Sequence, residues 1–157
     1  MRKRTIARVL AVALGAALAL GALAGCQSPA TGATDQQQAN RTYMTKVNQA
    51  VEELNTRLGE FDEAVAQESV VNMRNKANSA FEAIDALAAI DTPDAMKDLQ
   101  TNYVDGCNKL KDALNSYIDL YTEISSATEG APFDFSAYDG RVKEIQDAYN
   151  EGIDKLK

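Results

Sequence analysis

The chain is 157 residues long, 45% hydrophobic and 25% charged, with 16 Lys and Arg against 23 Asp and Glu and a net charge of −7. That length holds one domain with a real core, and the acidic balance repels nucleic acid and anionic lipid headgroups. The chain has no histidine, which removes the commonest general base, the His-containing nucleophile triads and the usual zinc sites.

Arg2, Lys3, Arg4 and Arg8 precede an apolar run from Val9 to Ala24, the layout of a secretory signal peptide. The opposing reading, a retained transmembrane helix, needs roughly 18 or more apolar residues, and this run is shorter and interrupted by Gly15 and Gly21. Leu23-Ala24-Gly25-Cys26 ends it and resembles the lipobox of bacterial lipoproteins. The resemblance implies that residues 1–25 are removed and that Cys26 becomes the first residue of the mature chain. It also implies a diacylglycerol on the Cys26 sulfur, with fatty acids such as palmitate. The expected location is extracytoplasmic, anchored to the bacterial cell membrane. In that family an Asp after the cysteine commonly signals inner-membrane retention; Gln27 stands here, which permits the outer membrane where the organism has one. Two acyl chains, at about 0.8 kcal/mol per buried methylene, make such an anchor effectively permanent. Losing four cations leaves 12 Lys and Arg against 23 Asp and Glu, a net charge near −11.

Residues 26–40, from the lipidated cysteine to Asn40, are small and polar with no apolar period, and read as a flexible tether of at most about 45–50 Å. The domain itself is expected over 41–157. Met44, Val47, Val51, Leu54, Leu58, Phe61 and Val65 recur at alternating spacings of 3 and 4, a coiled-coil-like seam that predicts a helix over about 38–66. Glu68 falls out of phase and a second series starts at Val70, Met73, Ala77, Ala80 or Phe81, Ile84 and Leu87. A turn is therefore expected near Gln67-Glu68-Ser69, with Ser69 as N-cap.

Asp91-Thr92-Pro93-Asp94 marks the next boundary, with Thr92 as cap and Pro93 in the first helical position. Helix three carries Met96, Tyr103, Leu110, Tyr117 and Ile124 every seven residues, with Leu99, Gly106, Ala113 and Leu120 in the adjoining row. Gly106 and Ala113 are small enough to let a neighbouring helix approach closely. Residues 129–135 break the helix, and Ser136 with Asp139 forms a capping-box pattern. Tyr138, Val142, Ile145, Tyr149, Ile153 and Leu156 make the last apolar stripe. The expected fold is all-α, an antiparallel up-down four-helix bundle. The alternative is a three-helix bundle with a long bent first helix.

Chemistry is sparse. No Gly-rich phosphate loop, nucleophile elbow or Cys-x-x-Cys-His motif occurs, so the chain is expected to be no enzyme and to hold no cofactor or metal. Cys107 is left without a disulfide partner once Cys26 is acylated, and reads as a small buried hydrophobe. Asp98, Asp105, Asp112 and Asp119 recur every seven residues on the face opposite the core row. At about 10.5 Å between successive members along the axis, no two share one calcium ion. They read as a solvated face, and otherwise as an acidic strip for a cationic partner. In the up-down arrangement Phe61, Tyr117, Tyr121, Phe133, Phe135 and Tyr138 gather at the end remote from the membrane, as the candidate binding residues. The expected function is that of a non-catalytic, lipid-anchored scaffold or accessory subunit with an envelope protein partner. The alternative is a lipoprotein that binds a small molecule in an aromatic-lined pocket at that end.

Overall fold

The computed structural model describes residues 34–157, whose regular structure is entirely helical. The four α-helices are α1 (Asp35–Ala66), α2 (Val70–Ala88), α3 (Lys97–Ser126) and α4 (Tyr138–Lys155). Short 3-10 turns, Asp94–Met96 and Phe135–Ala137, lead into α3 and α4. The signal segment, Cys26 and the first part of the tether lie outside the described residues.

Helix α1 starts earlier than its apolar seam. The Thr34 hydroxyl accepts a hydrogen bond from the Gln37 amide at 3.3 Å, and the Gln37 side chain accepts one from the Thr34 amide at 3.1 Å. This reciprocal cap satisfies two donors that the first turn otherwise leaves open. Residues 35–40, expected as tether, are therefore helical.

The turn after α1 stands where the phase break put it, which makes α1 and α2 separate helices rather than one bent helix. Glu68 adopts φ 56, a left-handed conformation costing a non-glycine residue about 1–2 kcal/mol, and Ser69 caps α2 by accepting from the Asn72 amide. Two other caps differ from expectation. Thr92 donates its hydroxyl back to the Ile90 carbonyl at 2.9 Å and caps nothing, because Pro93 opens a 3-10 turn before α3 begins. Ser136 and Asp139 form no capping box; the Asp134 carboxylate instead accepts from the Ser136 amide at 2.9 Å.

Packing follows chain order, α1 on α2, α2 on α3 and α3 on α4, around one continuous apolar core. Helix α3 is the central element: Tyr103, Cys107, Leu110, Ala113, Leu114, Tyr117, Ile118, Leu120, Tyr121 and Ile124 are all buried, a stripe wide enough to serve neighbours on two sides. In α1 the seam begins at Tyr43, with Met44 only partly covered. A Cβ added at Gly106 would stand 2.9 Å from the Gly152 carbonyl oxygen, and one at Gly152 would stand 2.8 Å from that of Gly106. The close approach expected of Gly106 is thus made with α4, glycine against glycine.

At the end of the bundle holding the start of α1 and the start of α3, the Tyr43 phenol donates to the Gln100 side-chain oxygen at 2.6 Å. The Gln100 amide nitrogen donates to the carbonyls of Leu87 and Ala88 at 3.1 and 3.3 Å. One side chain therefore serves the open C-terminal carbonyls of α2 and links three helices.

Candidate functional site

The six aromatic residues singled out in the sequence fall into two ring groups, Phe61 with Tyr117 and Phe133 with Phe135 and Tyr138, while Tyr121 bonds to the α1–α2 turn. Phe61 and Tyr117 are fully buried and pack edge to face with centroids 5.8 Å apart. Tyr121 is buried and donates its phenol to the Glu68 carbonyl at 3.3 Å, which ties α3 to the left-handed turn. In the connection, Phe133 stacks edge-on against Phe135 at 4.8 Å and against Tyr138 at 6.4 Å, with Phe135 and Tyr138 6.2 Å apart. Phe133 and Tyr138 pack onto the core. Phe135 does not: it remains 52% exposed and, with Val71 at 69% in the first turn of α2, is one of the two large apolar side chains left in water among the described residues.

The surroundings of these rings are charged. Arg141 forms two hydrogen bonds to the Glu123 carboxylate, at 2.5 and 2.9 Å, which hold Glu123 below the usual carboxylate range. Amide donation from Ser136 does the same for Asp134. A shallow groove runs between this pair and the connection, with Pro132 and Phe133 in its wall. Exposed apolar surface with a charged rim is a surface suited to a protein partner.

Comparison with family models, with curated proteins and with solved structures found no match.

Asp98, Asp105, Asp112 and Asp119 are exposed, as the helical count required. Two of them are engaged within the fold, Asp105 with Lys155 at 2.9 Å and Asp119 with Arg74 at 3.4 Å. Cys107 is buried and unpaired, and burial pushes its thiol up to about 11, where it is protonated and unreactive at neutral pH. Among the described residues there is no cluster of potential metal ligands and no helix long and apolar enough to cross a membrane.

One residue escaped the sequence reading. Asp62 is partly buried on α1, and burial raises its carboxyl from 3.8 to about 6. No hydrogen bond or ion pair joins it to another described residue, yet its charge is felt by the phenols of Tyr117 and Tyr149, which burial also raises, that of Tyr149 to about 12. The signal was present: Asp62 stands four residues after Leu58 and three before Val65, both core positions, which turns it toward the apolar face.

Proposed function

We propose that the chain is a lipid-anchored, extracytoplasmic bundle held to the bacterial membrane through Cys26, acting without catalysis through contact with an envelope protein at its aromatic end. The arrangement proposed for it is antiparallel and up-down-up-down. In its support, Glu60 pairs with Lys76, Arg74 with Asp119, Asp85 with Lys111, Asp105 with Lys155 and Glu123 with Arg141, so numbers rise along one helix as they fall along the next. The tether then enters at the Tyr43–Gln100 end and the aromatic end points away from the membrane.

The observation that carries the reading is the division of labour between Phe133 and Phe135. Phe133 docks and holds the connection, while Phe135 turns outward beside it. A ring in solvent costs the free protein the roughly 1.5–3 kcal/mol that burial would return, and a partner with an apolar socket and a basic rim recovers it. An outward ring at Phe135 also favours contact over a lined pocket.

The test separates the two rings. Phe133→Ser should lower the melting temperature, whereas Phe135→Ser should leave it unchanged. A photo-activated crosslinker at Phe135 should give one discrete adduct in intact cells, and one at Asp98, on the solvated face, none. Equal labelling at both positions would overturn the contact reading. Cys26→Ala should abolish lipid labelling and leave precursor uncleaved or the protein released; unchanged membrane retention and unchanged mature mass would overturn the anchor.

A further inference from the structure

A groove runs along the surface between α3 and α4, with Ala113, Ile145 and Ala148 in its floor. Its walls carry Asp112, Asp119 and Glu123 from α3 and Glu144 from α4, against the single cation Arg141. Arg141 is already taken by Glu123, at 2.5 and 2.9 Å, and Asp119 reaches Arg74 only at 3.4 Å. Asp112 and Glu144 are exposed, and neither enters an ion pair among the described residues. Glu123 and Arg141 also line the hollow beside the α3–α4 connection, together with Phe133, so the two depressions run into one another. The Phe133 ring lies 4.8 Å from that of Phe135, which is 52% exposed. An acid-walled, alanine-floored trough thus leads to a ring in water.

We propose that this groove receives a basic amphipathic helix of the protein partner, with cations seven residues apart meeting Asp112 and Asp119 and an apolar side chain covering Phe135. This rests on the protein contact at Phe135 and names what the partner brings to it. Charge selects the occupant. Four carboxylates around one guanidinium that is already paired attract a cationic segment and repel an acidic one. A second copy of this chain, with 23 acidic against 16 basic residues, is repelled, and so is an anionic lipid surface. A polyamine would neutralise the acids but leave Phe135 in water. Spacing selects the helix. Asp112 and Asp119 stand about 10.5 Å apart along α3 at 1.5 Å per residue, the separation of positions i and i+7 on one face of a helix lying alongside. An extended segment repeats on one face about every 6.5–7 Å and misses that register. The small side chains of the floor let a helix settle between the acidic walls, the helix-in-groove mode of recognition.

The test titrates the full-length protein in detergent with a fluorescent synthetic helix that carries lysine at every seventh position and a leucine at one end. The reference peptide has the same composition with its lysines scrambled. The first peptide should bind, more weakly as salt rises, and the scrambled one at least tenfold less tightly. Asp112→Asn with Glu144→Gln should weaken binding of the first peptide at least tenfold. The same charge change outside the groove, Asp98→Asn with Glu82→Gln, should leave it unaltered. None of these four side chains makes an ion pair, so both double variants should melt as the wild type does. Phe135→Ser should weaken binding by a smaller factor and leave its salt dependence unchanged. In intact cells a photo-activated crosslinker at Ser116, which lines the groove, should give the same adduct as one at Phe135. Equal binding of the two peptides, or equal weakening by the two acid pairs, would overturn the groove. A loss confined to Phe135→Ser, or an adduct at Phe135 alone, would overturn it too while leaving the tip contact standing. A loss confined to Asp112→Asn with Glu144→Gln would keep the groove and overturn the tip contact. Self-association abolished by that same pair would give the groove to a second copy and overturn the basic helix.

Discussion

At the scale of single residues, Asp62 makes stability depend on pH in a direction opposite to that of most carboxylates here. Its folded pKa, about 6, lies above the ordinary 3.8 because burial disfavours the charge. The native state therefore holds the proton more tightly than the unfolded chain does. The stability this contributes is complete below about pH 4 and is lost as the pH rises through 6. Paired acids such as Glu60, Asp105 and Glu123 are shifted downward by Lys76, Lys155 and Arg141 and act in the reverse sense, so the difference between wild type and variant isolates Asp62. Asp62→Asn should be more stable than wild type at pH 7–8, with the advantage vanishing near pH 4. Urea midpoints across that range read it directly. An advantage that persisted unchanged at pH 4 would mean that the side chain acts by shape and not by charge.

At the scale of the helices, what was legible in the sequence divides by physical origin. The seams come from apolar period, and they placed the bodies of all four helices, the break after Ala66 and the buried rows of α3. Ends come from local hydrogen bonding, and they were placed less well. Thr34 and Gln37 hold the three-residue spacing of a capping box, which went unread because the polar stretch around it resembles a linker. Thr92 and Ser136 are cap-type residues whose hydrogen bonds go elsewhere once 3-10 turns intervene. The Glu68 turn carries a residue that does not favour its backbone, so no turn signal announces it. Glu68→Gly should remove that strain and raise stability by about 0.5–1 kcal/mol, measured by chemical denaturation; a loss of stability would show that the Glu68 side chain is itself needed. The glycines offer a sharper contrast. Gly106→Ala would force a Cβ to within 2.9 Å of a backbone oxygen and should cost about 1–3 kcal/mol, as overpacking does. Gly59, with nothing near its missing Cβ, should accept alanine with a gain of about 0.5–1 kcal/mol. Equal effects at the two sites would deny the close crossing of α3 and α4.

At the scale of the molecule, α3 carries the fold, since its buried residues face both α2 and α4. Leu110 is fully buried at the middle of that helix and lies against Gly152. Leu110→Ala should cost about 2–5 kcal/mol and lower the midpoint of one cooperative transition followed by circular dichroism at helical wavelengths. Two separate transitions would mean that the halves of the bundle unfold independently. The candidate site was legible in part at this scale. The burial of Phe61, Tyr117 and Tyr121 followed from their places on the helical seams, whereas which of Phe133 and Phe135 docks and which stays in water depended on the path of a connection that carries no period.

The glycine-on-glycine crossing of α3 and α4 also has a mechanical meaning. Two helices whose backbones touch cannot slide past one another without lifting apart, so that pair behaves as a stiff beam. Helices α1 and α4, by contrast, make no comparable packing among the described residues. A pull delivered through residues preceding Thr34 arrives on α1, not on the beam, and tends to peel α1 from its first turn toward the Tyr43–Gln100 link. Under the proposed anchoring through Cys26, strain from the membrane side would be absorbed near the Tyr43–Gln100 link, leaving the rings of the α3–α4 connection in register.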